Sequence, residues 1–160
     1  MRSILVGLAV AGICSIANLA TDAEAKDSPR QCGSWKFDKE GGAEGEPAAS
    51  LSCGNDIGFA VQCAGSFIAN LRYYGDASGD DYRLFRFKIA TQSFELWLRP
   101  EEMDGASAGY QEFDHPLFKA LAKTGTLAIT DVAAQKTETL PLKGFSAALA
   151  ALRKACESSG

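Results

Sequence analysis

The residue that most directly suggests catalysis is the only histidine, His115, which follows Asp114. An acid that orients a basic imidazole is part of a hydrolase triad, but adjacent residues at a helix start rarely face each other. The sequence places no serine or cysteine to complete the set. We therefore interpret His115 as a surface residue beside a helix cap. A secreted hydrolase that uses His115 is the least favoured hypothesis.

A serine in Gly144-Phe145-Ser146-Ala147-Ala148 lies in a pattern close to a nucleophile elbow. The closing glycine of that motif is missing, and an elbow requires a parallel α/β sheet that this sequence does not predict. A helix cap explains Ser146 fully.

Two adjacent acidic pairs, Asp80-Asp81 and Glu101-Glu102, are the remaining candidates for acid–base chemistry. Glycosidases need one carboxyl with a pKa raised by burial, facing a second across a cleft. Both pairs lie in polar loops, where solvation leaves acids unperturbed. We therefore expect a protein that catalyses no reaction.

The N-terminal residues predict export. Arg2 precedes an apolar run that ends at Ala20, and Ala23-Glu24-Ala25 fits a cleavage site with small residues. We predict a signal peptide over 1–25 and a single periplasmic or secreted domain over 26–160. No other segment is apolar enough to span a bilayer. The mature chain has 15 basic and 18 acidic residues, a net charge of −3, which argues against nucleic-acid binding.

Four cysteines remain after cleavage: Cys32, Cys53, Cys63 and Cys156. An even number in an exported chain predicts two disulfides, and four cysteines allow three pairings. Cys53 and Cys63 flank a turn sequence on the same strand parity, so we favour a bond between them and a second bond from Cys32 to Cys156. The spacings are not those of zinc sites, and we expect neither a metal nor a cofactor.

The strongest structural signal is the alternation of apolar and polar residues from Tyr82 to Arg99, which predicts two strands. Folding them about Thr91-Gln92 pairs Phe87 with Leu96 on one face. On the other face this register pairs Arg86 with Trp97. If that second face is uncovered, Trp97 is an exposed aromatic beside cations, suited to anchoring a protein or a glycan. If a helix covers it, Trp97 belongs to the core.

The rest of the chain predicts an α+β fold in which β dominates. Further strands are expected near residues 51–53, 59–63, 67–74, 127–129 and 140–142, with acidic loops over 39–49 and 100–109. Two short helices follow in the C-terminal third, one opened by Asp114-His115-Pro116 and one capped by Ser146. The expected architecture is an antiparallel sheet or sandwich of six to eight strands.

The C-terminal residues Leu140 to Leu149, with Cys156 beyond them, resemble the tail of small exported proteobacterial proteins of the invasion-associated-locus-B type and of type VI secretion accessory proteins. This resemblance covers under a fifth of the mature chain. It implies a periplasmic, non-enzymatic, β-rich domain, sometimes linked to host interaction. The corresponding hypothesis is an envelope, secretion or invasion accessory protein whose Arg86–Trp97 face meets a protein partner.

A second resemblance lies in Ser78-Gly79-Asp80-Asp81-Tyr82, which is similar to the Ser-Gly-x-Tyr loop of bacterial periplasmic lysozyme inhibitors. Here two residues, rather than one, separate Gly79 from Tyr82. The resemblance implies a β-sandwich whose loop occludes the lysozyme cleft. Acidic loops would also speed encounter with a cationic lysozyme. Lysozyme inhibition is the favoured hypothesis from the sequence.

Overall fold

The structure, a computed structural model, describes residues 30–75 and 81–158. The predicted signal peptide lies outside the described residues, and so do Ser78, Gly79 and Asp80 of the inhibitor-like loop.

The predicted β-dominant α+β fold is confirmed. Within the described residues, nine antiparallel strands form one curled sheet in the order β1-β2-β3-β4-β7-β6-β5-β8-β9, one strand more than the predicted maximum. The strands are β1 Lys36–Asp38, β2 Ala48–Cys53, β3 Asp56–Cys63, β4 Ile68–Tyr73, β5 Arg83–Ile89, β6 Gln92–Pro100, β7 Ser107–Glu112, β8 Thr126–Asp131 and β9 Lys136–Pro141. Two helices, α1 Pro116–Leu121 and α2 Phe145–Ser158, lie in the C-terminal third, as predicted.

The curl brings the two ends of the sheet together at Trp35, directly before β1. Its backbone N–H donates to the Lys143 carbonyl (2.9 Å), and its indole Nε1 donates to the Pro141 carbonyl at the end of β9 (3.0 Å). Tyr73 of β4 also reaches β9, where its hydroxyl donates to Glu138 at 2.8 Å. The sheet therefore has a concave inner face, which encloses the core, and a convex outer face.

Aromatic side chains fill the inner face. Trp35 makes edge-to-face contacts with Phe59 and with Phe145 of α2, and Phe59 contacts Phe87 in turn. Helix α2 packs against β1, β2 and β3. Since burial of each such side chain stabilises the fold by about 1.5–3 kcal/mol, this cluster is a main determinant of the curl.

The strands of the predicted β5–β6 hairpin are present, but the predicted register is wrong. The structure pairs Phe87 with Phe94 and Arg86 with Glu95, so each partner is shifted by two residues from the predicted pairing. The turn lies at Ala90-Thr91 rather than Thr91-Gln92, and Ala90 has a positive φ of 50°. A shift of two residues keeps every side chain on its predicted face, because the strand period is two.

Two disulfides form, but their predicted pairing is wrong. The bonds join Cys32 to Cys53 and Cys63 to Cys156. Cys53 ends β2 at the tight β2–β3 turn, opposite Asp56 in the strand register. Cys63 lies at the far end of β3, about 23 Å along the strand from Asp56. The disulfides therefore tie the end of β2 to Cys32, before β1, and the end of β3 to Cys156 of α2.

Helix caps and one loop also differ from prediction. His115, not Asp114, caps α1, and its Nδ1 accepts from the Leu117 N–H at 3.3 Å. Helix α2 begins at Phe145, so Ser146 lies inside its first turn and does not cap it. The predicted acidic loop over 100–109 is shorter, because β7 begins at Ser107.

Candidate interaction face

The outer face of β6 carries an exposed indole. Trp97 retains 62% of its surface, while its neighbours Leu96 and Leu98 point inward and are buried. Across β5, Trp97 pairs with the partly exposed Leu84. Of the two environments considered for Trp97, exposed or core, the structure shows the exposed one, because α2 packs against β1–β3 on the inner face.

A second aromatic side chain lies beside Trp97 on β7. The β6–β7 pairing joins Arg99 to Ala108, and the same register continued by two residues sets Trp97 opposite Tyr110. Gly109 supports this close approach, since a Cβ at that position would lie 3.2 Å from the Trp97 carbonyl oxygen. Tyr110 is 63% exposed. No strand was predicted at Tyr110, because the first half of β7 lies in the loop predicted over 100–109.

Tyr82 extends the exposed aromatic group at the start of β5. The β5–β6 register, continued beyond Arg83 and Leu98, sets Tyr82 opposite Arg99 on the outer face. Tyr82 is 62% exposed. We call the outward side chains Tyr82, Leu84, Trp97, Arg99 and Tyr110 the aromatic face.

Arg86, predicted to pair with Trp97, instead forms an ion pair with Glu95. Its Nη2 and Nε both donate to Glu95 Oε1, at 2.7 and 3.0 Å. Both side chains are about half exposed, so the pair contributes only about 0.2–1 kcal/mol to stability. Arg86 and Trp97 still share the outer face, but Arg86 lies one pair further along the hairpin.

A buried arginine fixes the 101–106 loop beside this face. Arg72 of β4 donates to Asp104 at 2.6 Å, and the Tyr74 hydroxyl donates to the same carboxylate oxygen at 3.0 Å. Burial alone would raise the pKa of the Asp104 carboxyl. Hydrogen bonds from Arg72, the Ala106 N–H and Tyr74 outweigh burial and hold that pKa below its ordinary value of 3.8. Burial raises the pKa of the Tyr74 phenol. The cluster is a structural clamp that orders the loop between β6 and β7.

The inhibitor-like loop is described only at its end. Asp81 and Tyr82 are both exposed, directly before β5. Tyr82 belongs to the aromatic face, so this end of the loop, with Asp81, adjoins that face.

Two of the side chains weighed for catalysis, His115 and Ser146, lie at the starts of the two helices. His115 uses Nδ1 to cap α1, and its ring contacts Phe94 with centroids 6.0 Å apart. Ser146 lies in the first turn of α2. Within residues 30–75 and 81–158, no group of three histidine, cysteine or acidic side chains is arranged to hold a metal ion.

Comparison with protein-family models, with curated proteins and with solved structures finds no match for this chain. In the described part of the chain, no helix has the length and apolar character needed to cross a membrane.

Proposed function

We propose that this protein is a non-enzymatic binding protein that holds a protein partner on its aromatic face. The observation that carries the proposal is the 62% exposure of Trp97 on the uncovered outer face of β6, beside Tyr110 and Arg99. Tryptophan, tyrosine and arginine are enriched among the few residues that contribute most of the binding energy at protein interfaces.

The shape of the surface supports a protein partner. The aromatic face lies on three neighbouring hydrogen-bonded strands, so its backbone is held rigid and loses little entropy on binding. The Arg72–Asp104 clamp orders the adjoining loop as well. A preorganised surface of this kind binds without paying for loop ordering.

Site-specific photo-cross-linking in the producing cells tests the proposal. A photoreactive phenylalanine at position 97 or 110 should give the same discrete adduct with one protein. The same probe at Lys154, an exposed position on α2, is the matched control and should give none. Equal adducts from all three positions, or none from 97 and 110, would contradict the proposal.

We also propose export to an oxidising compartment, with the periplasm as the favoured location. The two disulfides are compatible with this, because such bonds persist in oxidising environments. Mass spectrometry of the protein from cell fractions tests it. We expect oxidised cysteines and an N-terminus near Lys26, and an uncleaved, reduced cytosolic protein would contradict it.

Lysozyme inhibition is the second candidate, and a specific observation favours it. Tyr82 of the aromatic face and the preceding Asp81 are both exposed, and Glu102 is exposed on the nearby acidic loop. Acidic side chains at such positions would attract a cationic lysozyme. Lysis assays with c-, g- and i-type lysozymes test this function. Inhibition that Tyr82→Ala abolishes would support it, and normal lysis by all three at a large molar excess would reject it.

A further inference from the structure

The outward side chains of the neighbouring strands β5, β6, β7, β8 and β9 carry more positive than negative charge. All five strands lie in the described part of the chain, and their outward positions hold three cations, Arg86, Lys88 and Arg99, against two acids, Glu95 and Glu112. Glu95 is already paired with Arg86. The outward residues of β8 and β9 are neutral, mostly threonines such as Thr130 and Thr137.

This local charge is opposite in sign to that of the whole chain, which has a formal net charge of −4. Lys88 and Arg99 form no ion pair with any acid among the described residues. They lie on either side of Trp97 along the hairpin. Lys88 pairs with Ser93, about 13 Å along β6 from Trp97, and Arg99 is about 7 Å away in the other direction.

We propose that the aromatic face recognises an acidic peptide segment of its protein partner. This inference rests on the proposed function and specifies the chemistry of the ligand. An apolar or aromatic side chain of the segment packs on Trp97, and carboxylates reach Lys88 and Arg99. The two cations are about 20 Å apart along the sheet, a span that about six extended residues cover.

Charge complementarity distinguishes this ligand from a lysozyme. A cationic protein would be repelled by the outer face of β5 and β6 and attracted instead to the acidic loops. An acidic segment has the opposite preference, since like charges across an interface weaken binding and opposite charges speed it. The two ligands therefore depend on different charges around the aromatic face: a lysozyme on Asp81 and Glu102, and an acidic segment on Lys88 and Arg99.

Fluorescence quenching measures the local potential directly. The chain has two tryptophans, and Trp35 is buried, so ionic quenchers act mainly on Trp97. We expect the ratio of iodide to caesium quenching of Trp97, divided by the same ratio for free N-acetyltryptophanamide, to exceed one at equal ionic strength, and Lys88→Glu with Arg99→Glu to bring it below one. Lys119→Glu with Lys123→Glu makes the same charge change at exposed positions in and after α1 and should leave this normalised ratio unchanged. A normalised ratio of one or less in the wild type would overturn the proposal.

Panning a random library of 12-residue peptides tests recognition. The wild-type protein and Trp97→Ala are panned in parallel, and only peptides enriched on the wild type are counted. We expect acidic residues to outnumber basic ones in these peptides. Affinity should fall at least about tenfold in the Lys88→Glu, Arg99→Glu variant and be unchanged in the Lys119→Glu, Lys123→Glu variant.

Basic or neutral enriched peptides, or no peptides that depend on Trp97, would overturn the inference. Binding of an acidic polysaccharide such as polygalacturonate in place of any peptide would also overturn it. Cross-linking from position 97 reports separately on the proposed function. An adduct with a partner that lacks an acidic segment would leave the proposed function intact and refute this inference alone.

Discussion

Arg86 and Glu95 face each other across β5 and β6, and the guanidinium donates two hydrogen bonds to a single carboxylate oxygen, Oε1. The contact is half exposed and contributes little to stability. Its consequence is electrostatic. It neutralises one of the two acids among the outward residues of β5 to β9, so that Lys88 and Arg99 outnumber the remaining acid, Glu112.

A double-mutant cycle tests the register of this hairpin. We expect a coupling energy of about 0.2–1 kcal/mol between Arg86→Ala and Glu95→Ala in urea unfolding, because the two side chains are directly opposite. The cycle between Arg86→Ala and Trp97→Ala should give a smaller coupling. The reverse order of the two couplings would mean that the strands pair in the register predicted from sequence.

Trp97 and Leu98 are adjacent, but truncating them should change the free energy of unfolding by very different amounts. Trp97→Ala removes an exposed side chain, so the free energy of unfolding should change by no more than about 0.5 kcal/mol. Leu98→Ala leaves a cavity in the core and should cost about 2–5 kcal/mol. Chemical denaturation measures both, and a large loss for Trp97→Ala would show that its side chain is part of the core.

Asp104→Asn should destabilise the protein at neutral pH and progressively less in acid. The hydrogen bonds to Asp104 stabilise its ionised form, and their loss should cost about 0.5–2 kcal/mol after allowance for partial exposure. Because the carboxyl pKa is lower in the folded chain than its ordinary 3.8, this stability is complete above that pH. It is lost as the pH falls through the folded-state pKa.

Urea unfolding at several pH values measures the difference between wild type and Asp104→Asn. Glu102→Gln, an exposed acid on the same loop, is the control and should have little effect at neutral pH. A difference between wild type and Asp104→Asn that grows below pH 3.8 would contradict the clamp.

The two disulfides should contribute unequally. The Cys63–Cys156 bond closes a loop with a sequence separation of 93, and the Cys32–Cys53 bond one of 21. In the chain-entropy model these loops correspond to about 5 and about 3 kcal/mol. Replacing each pair by serines and measuring thermal unfolding checks the order. A greater loss on removal of the shorter loop would contradict the observed connectivity.

The fold class follows from the sequence because alternation over Arg83–Ile89 and Gln92–Pro100 is strong and local. The register does not follow, because a shift of two residues preserves both faces. The turn itself depends on Ala90 with a positive φ, a conformation that alanine does not signal.

Strand β7 could not be recognised, since its first three residues are small and Gly109 weakens the pattern. Its glycine is required by packing, because a Cβ there would lie 2.6 Å from Leu98 Cδ2. The exposure of Trp97 could not be predicted from the sequence either, because it depends on where α2 packs. That position follows from long-range contacts with β1–β3 and from the Cys63–Cys156 bond.

The affinity of the partner cross-linked from position 97 tests the central claim most directly. It is measured by calorimetry for the wild type, for Trp97→Ala and for Phe67→Ala, which removes a 75% exposed aromatic from the turn before β4. Loss of a central anchor costs about 2–4 kcal/mol, so Trp97→Ala should weaken binding at least about thirtyfold, whereas Phe67→Ala should leave it nearly unchanged. Equal affinities for the wild type and Trp97→Ala would contradict the account.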